Sequence, residues 1–274
     1  MESKGKIGGK IGVFDSGFGG LSILKEIVEK LSQYDYVYLG DSARAPYGNR
    51  SQEEICKFTN EGVDFLFDRG ALMVILACNS ASSEALRRIQ AEHPKVKEGK
   101  KVLGVIFPAA EEAALRTVCK KIAVIGTEAT ISSHAFKREI QKIDGSIEVF
   151  EIATPLLAPI VEAGEDKSDS TKDLIGNYMQ NVLDTGADTL ILGCTHYGIL
   201  EEEIMKQAKG IHLVSEGRVV ANKLDNYLLR HTEIENGLSK NGNREFFTTD
   251  ADGKFDTLGS RFFGKEINST TITL

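Results

Sequence analysis

Short, almost uninterrupted hydrophobic runs alternate along the chain with segments of helical periodicity. The runs are IGVF (11–14), YVYL (36–39), MVIL (73–76), VLGVI (102–106), KIAVI (121–125), IEVFEI (147–152) and TLILG (189–193). Strands that are buried on both faces of a parallel sheet have this near-continuous hydrophobicity. The pattern therefore predicts an α/β fold with mainly parallel sheets and right-handed crossovers.

One predicted helix is marked at both ends. Ser51 and Glu54 have the spacing of a capping box, and apolar residues follow at roughly helical intervals. Gly70 supplies a C-terminal stop signal. Because this helix lies between the second and third hydrophobic runs, it completes a predicted βαβ unit.

The same segment occurs twice. LFDRGALMVILACNS (66–80) aligns without a gap with VLDTGADTLILGCTH (182–196), and KIGVFDSG (10–17) resembles KIAVIGTE (121–128). The upstream pair is offset by 111 residues and the two cysteines by 116. Such near-constant spacing favours two related α/β units over a chance match.

The repeat predicts two pseudo-symmetric α/β domains, which agrees with the length of 274 residues. The second unit begins near residues 105–108 and ends near the apolar run at 211–214. Beyond it lie a helical pattern, a strand and a last helix, at 216–229, 245–249 and 255–263. Because this tail is expected to return to the first unit, we predict a discontinuous first domain (1–106 plus 215–274) and an inserted second domain (107–214).

Four residues with reactive or polar side chains directly follow hydrophobic runs: Asp15, Cys78, Thr127 and Cys194. In parallel α/β sheets, ligands bind beyond the carboxyl ends of the strands. If the two halves face each other, these residues share one cleft. We therefore predict an active site between the domains.

The matched cysteines suggest two matched chemical positions. A thiolate is favoured at a helix N-terminus or beside a cation, so one thiol could act as base and the other as acid. A base on one face of a carbon and an acid on the other would invert that carbon. The alternative is that Cys78 and Cys194 are small core residues. Cys56 and Cys119 fall within helical patterns and are interpreted as structural.

The residues around the two thiols differ between the halves: Asp15-Ser16 against Gly126-Thr127, and Asn79-Ser80 against Thr195-His196. His196 could orient or polarise the thiol of Cys194. The turn DSGFGGLS (15–22) could cradle a carboxylate with its backbone N–H groups, or it could be glycine-rich for tight packing. The loop DSARAPYGNRS (41–51) could close over a ligand or be an ordinary surface loop.

Composition narrows the class of partner. A net charge of −7 without a basic cluster argues against a nucleic-acid surface, and no apolar run approaches the length that spans a membrane. Four cysteines without close pairs form neither a disulfide framework nor a zinc pattern. No signal peptide is evident, so we expect a cytoplasmic protein that binds a small molecule.

At these residues the chain resembles the glutamate racemases, a branch of the cofactor-independent aspartate/glutamate racemase superfamily. The resemblance extends over residues 11–264. The motifs that carry it are GVFDSGFGGLSIL (12–24), YLGDSARAPYG (38–48), ILACNSASSEAL (75–86), IAVIGTEATISS (122–133), ATPLLAPIVEAG (153–164) and LILGCTHYGIL (190–200). The cysteine motifs alone indicate the superfamily, whereas the DSG and PYG motifs indicate the glutamate branch.

The resemblance implies a role for each matching residue. Cys78 would take the α-proton from D-glutamate and Cys194 from L-glutamate, and each thiol would reprotonate the carbanion formed by the other. Asp15 and His196 would assist the thiols and the substrate ammonium, and Glu162 would approach the ammonium or tune the site. The residues implied to hold the two carboxylates are Ser16, Pro46, Tyr47, Gly48, Asn79, Ser80, Thr127, Thr130 and Thr195.

The resemblance also implies an enzyme without pyridoxal phosphate, metal or nucleotide. It implies a cytoplasmic homodimer that supplies D-glutamate for peptidoglycan. Three alternatives stay open from the residues themselves. They are an aspartate or hydantoin racemase of the same superfamily, a Cys-His hydrolase or acyl transferase that uses Cys194 with His196, and a non-catalytic anion-binding protein.

Overall fold

Two parallel β-sheets organise the computed structural model, which describes residues 8–251 and 253–274. The strands within these ranges are β1 (Lys10–Asp15), β2 (Tyr36–Gly40), β3 (Ala71–Leu76), β4 (Lys101–Gly104), β5 (Lys121–Gly126), β6 (Glu148–Ala153), β7 (Thr189–Gly193), β8 (His212–Val214), β9 (Arg244–Thr248) and β10 (Ser269–Thr271). The first sheet has the order β10-β9-β2-β1-β3-β4, and the second has the order β6-β5-β7-β8.

Helices connect the strands and cover the sheets. Those in the described ranges are α1 (Leu21–Lys30), α2 (Gln52–Asp68), α3 (Asn79–Glu84), α4 (Leu86–Glu92), α5 (Pro94–Lys97), α6 (Ile106–Arg116), α7 (Glu128–Ser132), α8 (Ala135–Ile143), α9 (Leu157–Glu162), α10 (Asp169–Asp184), α11 (Glu201–Gln207), α12 (Glu216–Arg230), α13 (Thr232–Glu235) and α14 (Lys254–Phe263). Short 3₁₀ turns lie at Ser42–Arg44, Tyr47–Asn49 and Thr195–Ile199. None of these helices has the length and apolar character needed to cross a bilayer.

The internal repeat is visible in the strand order. The order β2-β1-β3-β4 in the first sheet corresponds to β6-β5-β7-β8 in the second, with the repeat-related strands in equivalent places. Strands β9 and β10 extend the first sheet beyond β2, and all the strand pairings described are parallel. The predicted fold of two pseudo-symmetric α/β units is therefore confirmed.

Strands of the first sheet come from both ends of the chain, residues 10–104 and 244–271, whereas the second sheet uses residues 121–214. Helix α12, which follows the last strand of the second sheet, packs on α1 of the first unit. The chain thus passes from one unit to the other twice. The domain boundaries at 106/107 and 214/215 stay a prediction.

Two local expectations are wrong. The predicted strand at 102–106 ends at Gly104, and Ile106 begins α6. Val105 and Ile106 are both buried, so the hydrophobic run continues across the change from strand to helix. Cys119 lies in an exposed turn after α6 rather than in a helix, because its N–H donates to the Oδ2 of Asp188 (2.7 Å).

The capping box of α2 is confirmed. The Oγ of Ser51 accepts a hydrogen bond from the N–H of Glu54 (3.3 Å), and the Glu54 carboxylate accepts one from the N–H of Ser51 (3.1 Å). Gly70 adopts a φ of +92° just beyond the helix, in the region that favours glycine. A side chain at Gly62 would collide with the ring of Phe14 (2.3 Å), so the helix lies directly against β1.

We predict that Ser51→Ala lowers the free energy of unfolding by about 1 kcal/mol, because the first turn of α2 loses its side-chain acceptor. Urea unfolding followed by circular dichroism measures the change. Ser51→Thr is the matched control, since it keeps a hydroxyl at the cap. Equal losses for Ala and Thr would show that the hydroxyl is not responsible.

Candidate active site

The carboxyl ends of four strands meet between the two sheets. Parallel pairing aligns Phe14 with Leu76 on β1 and β3, and Gly126 with Gly193 on β5 and β7. Asp15 and Cys78 therefore emerge side by side from the first sheet, and Thr127 and Cys194 emerge side by side from the second. A hydrogen bond between the hydroxyls of Ser80 and Thr127 (3.1 Å) joins the two groups.

The glycine-rich turn of residues 15–22 packs against the second unit. A Cβ at Gly19 would lie 2.4 Å from the Oγ1 of Thr195 and 2.9 Å from the ring of His196. A Cβ at Gly20 would lie 2.7 Å from the Cβ of Asp15. Real Cβ atoms do not approach this closely, so tight packing accounts for both glycines. A carboxylate cradle at this turn stays a prediction.

Asp15 is completely buried at the end of β1. Its Oδ2 accepts a hydrogen bond from the N–H of Gly17 (3.0 Å), whereas its Oδ1 has no hydrogen-bond partner among the described residues. Burial raises the pKa of Asp15, although the charge of His196 opposes this effect. An unpaired carboxylate oxygen in a buried position is costly, and a cationic ligand group would relieve that cost.

Cys78 lies at the N-terminus of α3 and is almost inaccessible to solvent. Its thiol donates a hydrogen bond to the Oγ of Ser16 (3.4 Å). Burial and the nearby carboxylate of Asp15 raise the pKa of Cys78 to about 12, and the contacts with Ser16 and the backbone of Ala81 only partly offset them. This cysteine is therefore a thiol at neutral pH.

Cys194 has a different neighbourhood. Its Sγ lies 3.7 Å from the Nδ1 of His196, whose Nε2 lies 3.1 Å from the Oε1 of Glu162. His196 and Glu162 are at ion-pair distance, but their atoms are not aligned for a hydrogen bond. The imidazole packs edge-on against Phe18 and Phe262, with ring centroids 5.6 Å apart in both cases. The two halves thus give their thiols different partners.

Burial alone would lower the pKa of His196, but the interactions with Cys194 and Glu162 outweigh it and raise the pKa to about 10. The ring is then an imidazolium at neutral pH, and it can stabilise a thiolate on Cys194. A five-residue 3₁₀ helix, Thr195–Ile199, follows Cys194. Positive charge beside this thiol therefore comes from His196 rather than from a long helix dipole.

The loop at 41–51 is held firmly by a residue that the sequence did not single out. The Oδ2 of Asp41 accepts hydrogen bonds from the hydroxyl of Tyr47 (2.5 Å) and from the Nε of Arg44 (2.7 Å), and its Oδ1 accepts one from Thr249 (2.9 Å). Asp41 directly follows β2, so its position at a strand end was a usable signal. The Tyr47 hydroxyl is thus engaged within the loop, and Gly48 lies close to Thr127.

The remaining polar residues of the predicted site lie around the same cleft. The Oγ1 of Thr127 accepts a hydrogen bond from the N–H of Thr130 (3.3 Å), and a Cβ at Gly48 would lie 2.8 Å from the Cβ of Thr127. Pro46 follows a cis peptide bond and begins the 3₁₀ turn of Tyr47. Thr195 is buried beside Gly19.

A second residue that the sequence did not identify is Glu216, the first residue of α12. It is buried, and its Oε2 accepts a hydrogen bond from the Nδ2 of Asn79 (2.8 Å). The sequence could have identified Glu216 in the same way as Asp41, because both are carboxylates that lie just beyond the end of a strand, β8 in the case of Glu216. Within residues 8–251 and 253–274, no cluster of three or more His, Cys, Asp or Glu side chains is arranged to hold a metal ion.

Comparison with known proteins agrees with this geometry. Residues 11–224 match the family model described as Asp/Glu/Hydantoin racemase. A glutamate racemase of Aquifex aeolicus is 38% identical over 258 residues, which cover 94% of this chain and 95% of that protein.

Two solved structures extend the comparison to the whole fold. Glutamate racemase isoform RacE1 from Bacillus anthracis has a TM-score of 0.89 and 34% identity, covering 97% of this chain and 98% of its own. Glutamate racemase from Francisella tularensis, solved in complex with D-glutamate, has a TM-score of 0.87 and 31% identity, with the same two coverages.

We predict that His196 keeps its proton up to about pH 10, whereas a free histidine loses it near 6.5. Glu162→Gln should lower this pKa, because it removes the negative partner of Nε2. A raised histidine pKa contributes stability below pH 6.5, and this contribution is lost as the pH rises through 10. NMR titration of ¹⁵N-histidine-labelled protein measures the pKa, with the exposed Glu165→Gln as control. Titration of wild-type His196 near 6.5 would contradict the prediction.

Proposed function

Because the chain belongs to the Asp/Glu/Hydantoin racemase family, and within it to the glutamate racemases, we propose that it interconverts L- and D-glutamate by proton transfer at Cα between two thiols. The observation that carries the proposal is the pair of buried cysteines at equivalent strand ends of the two units. An amino-acid racemase is an isomerase, and this arrangement needs no cofactor to provide an acid and a base on opposite faces.

The two thiols have different partners, and this difference suggests a different role for each. Cys78 carries its proton at neutral pH, because burial and Asp15 disfavour its thiolate. The Sγ of Cys194 lies 3.7 Å from the Nδ1 of His196, and the imidazolium can stabilise negative charge that forms on the sulfur during proton transfer. We infer that Cys194 is the base and Cys78 the acid when the substrate is L-glutamate, since Cys78 holds a proton and Cys194 has a cation beside it.

In the forward reaction the Cys194 thiolate takes the α-proton of L-glutamate, which breaks the C–H bond and forms an S–H bond. The Cys78 thiol then donates its proton to the opposite face of the carbanion. This step forms the C–H bond of D-glutamate and leaves a thiolate on Cys78. The reverse reaction begins from that state and uses the same two transfers in the opposite order.

The polar residues around the thiols are proposed to bind the substrate. The unpaired Oδ1 of Asp15 can accept a hydrogen bond from the α-ammonium. Glu162, which lies 3.1 Å from His196, sets the charge of that imidazole beside Cys194. The groups proposed to hold the two carboxylates are Ser16, the backbone of Pro46, Tyr47 and Gly48, Asn79, Ser80, Thr127, Thr130 and Thr195. Thr130 would act mainly by orienting the hydroxyl of Thr127, to which it is hydrogen-bonded (3.1 Å).

One structural feature favours a second candidate function. Cys194, His196 and Glu162 form a chain of contacts that resembles the cysteine, histidine and acid of an acyl-transfer enzyme. That function would depend on one cysteine only. The racemase depends on both, so substitution of Cys78 separates the two proposals.

The same family membership supports proposals about the setting of the enzyme. We propose that it acts in the cytoplasm, as a homodimer, and supplies D-glutamate for peptidoglycan. Growth of a D-glutamate auxotroph that expresses the chain tests the biological role, and analytical ultracentrifugation of the purified protein tests the dimer.

We predict that Cys78→Ser and Cys194→Ser each lose at least about 10³-fold in racemase turnover, because removing one of two essential proton carriers blocks inversion. Each variant keeps one thiol on one face. In deuterated water, Cys78→Ser should therefore exchange the α-proton of L-glutamate without inversion, and Cys194→Ser should do so with D-glutamate. Chiral chromatography with mass spectrometry measures inversion and deuterium content together.

Cys56→Ser is the matched control, since this cysteine lies in α2, where its Sγ donates to the backbone oxygen of Glu84 (3.2 Å), and should leave turnover unchanged. Wild-type enzyme should bring either enantiomer of glutamate to an equal mixture. Activity on aspartate alone would replace glutamate with aspartate as substrate. Full inversion by either cysteine variant would disprove the two-thiol mechanism.

A further inference from the structure

We propose that Glu216 is an uncharged positioning residue, which fixes the side chain of Asn79 beside Cys78 and weakens substrate binding when it ionises. The second part rests on the proposed glutamate racemase function. The first part concerns only the state of one carboxyl group in the folded chain, and it can be tested without turnover.

The position of Glu216 joins the two halves of the site. It begins α12 just after β8, where the chain returns from the second unit to the first. Its side chain accepts a hydrogen bond from Asn79 of the first unit (2.8 Å), and it lines a small cavity of about 20 Å³ together with Cys194 and Thr195 of the second unit. Glu216 thus lies close to the segment that follows Cys78 and to the segment that follows Cys194.

Two oxygen atoms in this contact are unsatisfied as they stand. The Oε1 of Glu216 and the Oδ1 of Asn79 are both fully buried, and neither has a hydrogen-bond partner among the described residues. A carboxylate and an amide oxygen both only accept hydrogen bonds, so they cannot satisfy each other. A protonated carboxyl group has an O–H that can donate to the amide oxygen. A single proton on Glu216 would therefore give a partner to both oxygens.

The surrounding charges also favour the neutral acid. Among the described residues no cation forms an ion pair with Glu216, and the charge of Asp15 acts on it unfavourably. The cations near it on α12 are already paired, Arg218 with Glu26 of α1 (3.6 Å) and Lys223 with Glu111 of α6 (2.7 Å). Cys194 across the cavity adds no positive charge. Burial and Asp15 raise the pKa of Glu216 to about 8, while the Asn79 contact works in the opposite direction.

The consequence for the reaction follows from the position of Asn79. This residue is adjacent to Cys78 in the chain, and its amide is proposed to contact a substrate carboxylate. A neutral Glu216 holds the amide in one orientation without adding negative charge to a site that must accept the two carboxylates of the substrate. Ionisation of Glu216 above about pH 8 would break one hydrogen bond and repel the substrate, so KM should rise while kcat changes little.

We predict that infrared difference spectroscopy at pH 7 shows the C=O stretch of a protonated carboxylic acid in the wild-type protein, and that Glu216→Gln removes this band. Asp225→Asn is the matched control. It changes another carboxylate on the same helix, one paired with Lys30 at the surface, and should leave the band in place. Persistence of the band in Glu216→Gln, or its absence from the wild-type protein, would overturn the proposal.

The pH dependence of stability tests the protonation of Glu216 without measuring activity. A carboxyl group whose pKa is raised on folding, here from 4.5 to about 8, lowers stability progressively as the pH rises through that interval. Glu216→Gln, which cannot ionise, should therefore gain in melting temperature over the wild type between pH 4.5 and 8. A constant difference in melting temperature across this interval would contradict the proposal.

Kinetics test the positioning role. Glu216→Gln keeps a donor and an acceptor, so at pH 7 its KM should stay within about twofold of the wild type, and the increase in KM above pH 8 should disappear. Glu216→Ala should raise KM about tenfold, as expected for the loss of one buried hydrogen bond. If Gln fails to rescue relative to Ala, the positioning role is wrong. If the wild type shows no turnover of glutamate, the proposed function fails, while the spectroscopic and unfolding results still decide the state of Glu216.

Discussion

Close contact between the two α/β units is the constraint on which the rest of the structure depends. Gly19 brings backbone of the first unit against Thr195 and His196, and Gly48 brings the 41–51 loop against Thr127. A methyl group at either glycine would separate the surfaces. Because no side chain intervenes, the carboxyl ends of the two sheets close on each other, and the groups between them are removed from water.

This burial explains most of the electrostatics of the site. Desolvation disfavours charge, so it raises the pKa of Asp15, Cys78 and Glu216. His196 departs from this trend because Cys194 and Glu162 stabilise its cationic form more than burial opposes it. The outcome is a site in which one thiol keeps its proton and the other has a cation beside it. Two nearly symmetric units therefore place their matched thiols in different electrostatic surroundings.

The asymmetry suits a reaction that is itself almost symmetric. The proposed two-thiol mechanism requires proton carriers on the two faces of one carbon, and Cys78 and Cys194 occupy matched positions in the two units. The substrate, however, must bind in one orientation, because its two carboxylates and its ammonium are different groups. Residues that are not matched between the halves, such as Asp15 and His196, can make that distinction.

The sequence by itself determined the features that depend on local pattern and chain position. Buried strands are hydrophobic along their whole length, so most of the described strands were evident, whereas the short polar strand β10 was not. The repeat predicted the matched sheets and the placement of both thiols at strand ends. The capping residues of α2 were recognisable for the same reason. The sequence pattern gave the wrong element at 102–106, where hydrophobic residues continue from a strand into a helix. It also gave the wrong element at Cys119, where the distant side chain of Asp188 fixes a turn.

Only the tertiary structure decided which side chains meet, and with what protonation. Glu216 contacts Asn79 across 137 positions of sequence, and Asp41 contacts Thr249 across 208. Nothing in the local pattern around these residues specifies such partners. Hydrogen bonding and desolvation depend on the atoms within a few ångströms in space, and those atoms come from separate parts of the chain. The sequence could therefore identify the candidate acid and base residues, but tertiary packing determined the environment that sets their protonation.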